Sequence, residues 1–275
     1  MTSGLWATII YMDISELKSK WHMEVESDQQ KGVEIPPFTK PVAEGATVVN
    51  LPKAEFSSFR GTDVVDAVTG RRSRRKFTGD SINLAELGWL LFATQGVQKA
   101  TPRGSLRTSP SAGARHPFET YIVALEVEGL YPGIYRYLAY DHTLELQRLA
   151  GDKTSAGGGS AASPPSAPGG TAASDSAQAL RDEAQGAING QGWGAPLIIY
   201  WTAVPYRTHW RYPLRMPKLV ALDAGHLCQN LYLACAAVGC GTCAVGAYDQ
   251  ELCDTLLGVD GQNELCVYVA PVGKI

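Results

Sequence analysis

The sequence predicts an α+β fold, and three observations carry that expectation. Strongly apolar, strand-like runs are joined by hairpin signals, and helices are interspersed only loosely among them. The stretch from Leu219 to Asp249, LVALDAGHLCQNLYLACAAVGCGTCAVGAYD, opens with about twenty residues that lack proline and carry apolar side chains on almost every face, as a helix buried on all sides does. No GxGxxG follows a strand to open a helix, which counts against a doubly wound dinucleotide-binding sheet.

Composition narrows the function classes. A chain of 275 residues with 45% hydrophobic content builds one substantial core with appendages. A net charge of −3 and a pI near 6.0 give no electrostatic reason to expect nucleic acid or an anionic membrane as a partner. No run of eighteen apolar residues is present, and the N-terminus lacks the basic region of a signal peptide, so a cytoplasmic location is expected. All six cysteines fall at or beyond Cys228 and read as buried free thiols. Cys240 and Cys243 form a CxxC, but no second pair or matching histidines follow, so no metal site is expected.

Taken in order, residues 1–60 read as an extended arm. A short helix is expected at 14–25, and then KGVEIPPFTKPVAEGATVVNLPKAEF, with four prolines and no sustained period, should drape over the body. The body, 61–275, starts with a short helix capped by Asp63 and ending at Gly70. RRSRRKF follows, with five basic residues in six positions; forked guanidinium donors match phosphate oxygens, although a solvent-exposed basic turn is an equal competitor. Asn83 to Phe92 predicts an amphipathic helix with Leu84, Leu87, Leu90 and Leu91 on one face, ended by Gln95-Gly96. The loop from Gln98 to Arg107 reads as polar and mobile.

RTSPSAGARHPFE then precedes the strand YIVALEV. The small residues Ser111, Ala112, Gly113 and Ala114 leave room for a planar ring, against the plainer reading of a Pro/Gly turn. Strands around Tyr135/Tyr137 and Leu144/Leu146 should meet at Asp141-His142. The Gly/Ser/Pro/Ala-rich tract at 151–173 is expected to be a flexible insertion. A modest helix at 175–188, a central strand APLIIYWTAV and a last strand ELCVYVAPVG complete the body. Between that central strand and the long helix, PYRTHWRYPLRMPK gathers His209, Arg211, Tyr212, Arg215 and Lys218, where a catalytic loop or a basic surface loop is expected. On the long helix Asp223, His226 and Asn230 form one polar stripe.

RRSRRKF, PSAGARHPFE, DAGHLCQNLYLACAAVGCGTCAVGAYD and VYVAPVG, in this order over about residues 62–273, resemble the nitroreductase superfamily, and more narrowly its SagB-type dehydrogenase branch. That branch includes FMN-dependent oxidases that convert peptide thiazolines and oxazolines to azoles. The resemblance implies a central, mostly antiparallel sheet flanked by helices, a homodimer that buries the long helix, and FMN at the subunit interface. It implies that Arg71, Arg72, Ser73 and Arg75 hold the FMN phosphate, that Pro110 to Ala114 lie along the flavin ring, and that Val245, Gly246 and Ala247 meet its pyrimidine and N5 edge. The implied stripe role is then internal hydrogen bonding.

Two departures bear on mechanism. Where the branch's azoline oxidases carry Lys-Tyr before the long helix, this chain has Arg211-Tyr212, and an arginine cannot be the general base, so Tyr212 or His209 would take the proton. The late basic residue that completes the phosphate clamp in other nitroreductases has only Lys274 as a stand-in. The implied activity is dehydrogenation of a small-molecule or peptidyl substrate in natural-product biosynthesis, with O2 as acceptor. The rivals are an NAD(P)H-dependent nitro or quinone reductase and a flavin-binding subunit supporting a biosynthetic partner enzyme.

Overall fold

Among the described residues, seven strands form one sheet whose pairings are all antiparallel. The structure is a computed structural model that describes residues 25–52, 59, 62–102, 104–152 and 171–275. The expected helix at 14–25 and the tract at 151–173 lie almost wholly outside these residues. In chain order the first half contains β1 (Val48–Asn50), α1 (Val64–Gly70), α2 (Leu84–Gln95), β2 (Val97–Thr101), β3 (Gly104–Arg107), β4 (Phe118–Ala124), β5 (Gly133–Leu138) and β6 (Thr143–Leu149). The second half contains α3 (Thr171–Ala187), β7 (Leu197–Ala203), α4 (Tyr206–His209), α5 (Met216–Ala237), β8 (Cys240–Thr242), α6 (Gln250–Leu257) and β9 (Leu265–Lys274). The large sheet runs in the order β1-β6-β5-β4-β7-β9-β8.

The strand alternation sorts the core into two layers. Leu197, Ile199 and Trp201 of β7 face α2 and α5, where Leu87, Leu90, Leu91, Leu227 and Leu231 meet them. Ile198 and Tyr200 face α3 and α6, against Leu180, Ile188, Leu256 and Leu257. Each such fully buried side chain contributes roughly 2 kcal/mol of transfer free energy, so β7, buried along its whole length between β4 and β9, anchors both layers. The helix starts are set locally. Asp63 accepts from the Val65 N–H, and Asn83 and Glu86 form a reciprocal capping box on α2.

Three features differ from the sequence expectation or extend it. The 98–107 loop is the hairpin β2–β3, because Arg107 is buried and donates to the Gln95 Oε1 at 2.9 Å and to the Ser105 Oγ at 3.0 Å, tying the hairpin to the body. α5 begins at Met216 and is buried on one side only: Asp223, Ala224, Leu227, Cys228, Leu231 and Cys235 face the core, while Leu222, Gly225, His226, Gln229 and Ala236 form an exposed stripe. Residues 25–52 lie along the body. Arg207 donates to the Pro37 carbonyl, Trp210 to the Val33 carbonyl and Arg136 to the carbonyls of Lys40 and Pro41. Arg136 is itself buried between Glu145 and Glu119, and Glu119 also pairs with Arg207. Among the described residues no helix is long and apolar enough to cross a membrane.

Candidate functional site

The basic turn after α1 is laid down beside β8. Ser73 bridges Thr242 in parallel, and the Arg74 N–H donates to the Thr242 carbonyl at 2.9 Å. One phenol fastens it: the Tyr232 hydroxyl lies 3.0 Å from the Ser73 Oγ and accepts from the Ala244 N–H at 2.9 Å. Arg71 stacks over the Tyr232 ring at 5.3 Å and Arg75 over the Trp193 ring at 5.5 Å, which fixes where both guanidinium groups lie. Gly241 is required here, because a Cβ would sit 2.7 Å from the Arg74 Cβ.

An open groove of about 460 Å³ runs along Ser73, Arg74, Arg75, Lys76, Phe77, Thr78 and Ile275. Among the described residues no carboxylate pairs with Arg71, Arg72, Arg74, Arg75 or Lys76. This turn is therefore a cluster of uncompensated cations and hydroxyls, the donor set that a phosphate monoester uses. Two residues of the expected phosphate set do other work. Arg72 donates to the carbonyls of Thr69 and Arg71, satisfying the end of α1. Lys274 is held by Glu86 at 2.5 Å and by the Val238 carbonyl at 2.9 Å, so its ammonium is spent inside the protein.

The Pro110–Ala114 loop is built at the other end of α5. Asp223 accepts from the Ser111 hydroxyl at 2.6 Å and from the Ala112 N–H, and Ser111 in turn accepts from the His116 N–H at 2.9 Å. Burial pushes the Asp223 carboxyl above its usual range, with the Ser111 and Ala112 donors opposing. Asn230 reaches the carbonyls of Ala93 and Thr108 and the Ser109 Oγ, so two members of the polar stripe hold this loop in place, while His226 is exposed.

The loop makes a single 3₁₀ turn at Ala112–Ala114, with Gly113 at φ +60°. Tyr212 and Arg211 close over it: a Cβ at Gly113 would lie 2.7 Å from the Tyr212 Oη and 3.2 Å from the Arg211 Cδ. Arg211 stands over the Tyr212 ring at 5.4 Å. His209 is directed elsewhere. It stacks on Tyr206, whose hydroxyl donates to Asp28, so its neighbours belong to the N-terminal arm.

The segment after β8 carries the third set. The Val245 N–H is consumed by the Val269 carbonyl at 2.8 Å, and the Ala247 carbonyl accepts from Asn189 and Gln191. Among the described residues the Gly246 and Ala247 N–H groups have no partner, and both residues are exposed. The structure thus gathers residues 71–75 with 242–244, and 110–114 with 211–212; Lys274 pairs with Cys240 but its ammonium is turned to Glu86, and His209 lies against Tyr206.

Three contributors were not singled out from the sequence. Tyr232 and Trp193 belong to no motif, and only their contacts with Ser73, Ala244 and Arg75 identify them. Arg115, inside the PSAGARHP run, is 2% exposed and lies over the rings of Phe38 at 5.0 Å and Trp210 at 5.2 Å. Its burial, and the nearby Arg211, hold its guanidinium below the usual range. All six cysteines are free and buried, and among the described residues no group of His, Cys, Asp and Glu could hold a metal ion.

Comparison with known proteins places this geometry. The sequence matches the nitroreductase family over residues 68–274. A Methanocaldococcus jannaschii protein provisionally named a nitroreductase is 30% identical over 210 residues, 76% of this chain and 89% of that protein. Among solved structures, a provisionally named nitroreductase from Ralstonia eutropha has a TM-score of 0.61 at 22% identity, covering 85% of this chain and 91% of its own. The E. coli microcin synthetase McbBCD complex with truncated pro-MccB17 bound has a TM-score of 0.55 at 15% identity, covering 82% of each chain. At these identities the two structural likenesses establish the fold alone.

Proposed function

This chain belongs to the nitroreductase family, and on that premise we propose that it is an FMN-dependent dehydrogenase that oxidises a thiazoline- or oxazoline-type peptide or peptidyl substrate to the azole. One observation carries the reading: Arg211-Tyr212 lie directly on the small-residue loop at Gly113, so a phenol oxygen stands beside the loop along which the flavin ring would lie. The residues present fit FMN. Ser73, Arg74, Arg75 and Lys76, with Arg71 beside them, offer its phosphate a cationic groove, and among the described residues no carboxylate side chain pairs with them. Pro110 to Ala114 offer the ring a flat wall, and the unpartnered Gly246 N–H offers a donor for its edge.

When bound, FMN would supply the hydride acceptor. The chain's own part is positioning and proton handling. A Tyr212 phenolate would take the acidic C–H proton of the bound substrate and become the neutral phenol, and the Arg211 and Arg115 guanidiniums favour the negative charge beside them. Arg211 stays protonated throughout and acts as an anchor. We assign the exposed stripe of α5, flanked by the exposed Val64, Val65 and Val68 of α1, to a homodimer interface.

The purified protein should be yellow with an FMN spectrum, and Arg71→Ala with Arg75→Ala should lose most of the cofactor. A colourless wild type that cannot be reconstituted sinks the proposal. Tyr212→Phe should keep FMN and lose turnover; full activity would remove the base assignment. Arginine in place of the branch's lysine favours one rival, a flavin-binding subunit that supports a partner enzyme, which would bind FMN yet turn over neither azoline nor pyridine nucleotide until that partner is added. Against the other rival, a reductase driven by NAD(P)H, anaerobic NADPH decides: rapid bleaching of the flavin supports the reductase, and a slow response supports the dehydrogenase.

A further inference from the structure

Arg115 is a charged side chain with no counter-ion. It is 2% exposed, its Nε and Nη2 are buried without a hydrogen-bond partner, and among the described residues no carboxylate pairs with it. The Phe38 and Trp210 rings lie against the guanidinium, and neither offers its buried N–H groups a conventional hydrogen-bond acceptor. A second cation, Arg211, is close enough to act on it electrostatically, and it too lacks a carboxylate partner. Among the described residues the carboxylate bound to the adjoining loop, Asp223, is engaged by Ser111 and Ala112. Burying a guanidinium unpaired beside another cation is unfavourable, and a fold retains such a group where an anion completes it.

We propose that Arg115 and Arg211 form a subsite for the carboxylate of a substrate whose ring lies against Gly113 and Tyr212. The proposal rests on reading 110–114 and 211–212 as the substrate site, and it narrows the substrate class to heterocycles bearing a free carboxylate, in contrast to amides or thioesters. The carboxylate supplies the acceptor that Arg115 lacks, and the arm residue Phe38 forms the far wall of the subsite. Charge-assisted hydrogen bonds between guanidinium and carboxylate are about twice as strong as neutral ones, so binding should discriminate strongly between an acid and its neutral isostere.

The test is calorimetric titration of the purified protein, with its cofactor content measured separately, using thiazole-4-carboxylate and thiazole-4-carboxamide. The wild type should bind the acid at least about tenfold more tightly, and Arg115→Gln and Arg211→Gln should each lose most of that preference. Equal affinity for acid and amide, no binding of either, or a preference kept in both variants overturns the subsite. If Arg115→Gln fails to fold, Arg211→Gln, at an exposed position, decides alone, by the same criterion. A peptide ending in thiazole-4-carboxylate distinguishes the source: tighter binding than the small acid assigns a peptide C-terminus, equal binding assigns a free acid, and both uphold the site. Because the readout is binding, a protein that shows the preference but performs no dehydrogenation retains this subsite and loses the proposed reaction.

Discussion

Gly113→Ala tests the contact on which the functional reading depends. The new Cβ would stand 2.7 Å from the Tyr212 Oη, 3.0 Å from its Cε2 and 3.2 Å from the Arg211 Cδ. Ordinary contact needs roughly 3.5 Å, so the phenol must retreat by roughly 0.8 Å. Alanine at φ +60° adds a backbone penalty of about 1–2 kcal/mol, a modest loss for a chain of this size, visible as a few degrees in Tm. A displacement near 1 Å at a catalytic group costs about a hundredfold in rate. The expected outcome is a folded protein with unchanged FMN content and kcat reduced about 10- to 100-fold. Steady-state kinetics beside a cofactor spectrum and a melting curve measure all three. In the double variant with Tyr212→Phe, the Gly113 effect should largely vanish, since the group it displaces is gone. A folded, FMN-loaded Gly113→Ala with wild-type kcat and KM would refute the placement of Tyr212 at the reacting centre.

Asp223→Ala removes the acceptor of Ser111 and Ala112, and should cost about 1–3 kcal/mol in urea unfolding, with faster amide exchange across 109–116; Asp223→Asn, which keeps one acceptor oxygen, should cost less. Burial, and after it the nearby Arg107, push His116 down to about 4. The folded state therefore keeps it neutral while the unfolded chain protonates below about 6.5, so this contribution is complete above pH 6.5 and is lost as pH falls towards 4. Its full size is roughly 3 kcal/mol, measurable as a pH-dependent unfolding midpoint that flattens in His116→Gln; an unchanged slope in that variant rejects it. Mixing Arg71→Ala/Arg75→Ala protomers with Tyr212→Phe protomers should recover about a quarter of wild-type activity if each site draws on both subunits, and no recovery would place each site within one chain.

What the sequence made legible was local. The Asp63 and Asn83 caps, the apolar run that became β7, the β5–β6 hairpin and the span of α5 are each written in a few adjacent residues, and each formed as its pattern requires. The β2–β3 hairpin was not legible, because its order comes from Arg107 reaching Gln95, a contact between elements and not a pattern within one. The exposed side of α5 was missed for a related reason: small and apolar residues such as Gly225 and Leu222 read as core whether a protein's own core or a partner covers them. The same limit applies to the candidate site. RRSRRKF and PSAGA stand out as compositions, but only the fold shows that Tyr232 ties Ser73 to Ala244, or that Gly113 meets Tyr212.

The geometry of α5 links these parts. Asp223 holds the small-residue loop and Tyr232 holds the basic turn, and the nine steps from one to the other set the two anchors about 14 Å apart along the axis. At about 100° per residue the same nine steps turn them to opposite sides of the helix, with the exposed stripe of Leu222, Gly225, His226 and Gln229 lying between. One protomer therefore presents the two halves of the proposed flavin site facing away from each other. A two-fold partner packed on the stripe would bring its own small-residue loop towards this chain's basic turn, and the reverse. A flavin held at such a junction would account both for the apolar and small residues that α5 leaves uncovered in the single chain and for the use of Asp223 and Asn230, polar groups on a core helix, to fix a loop.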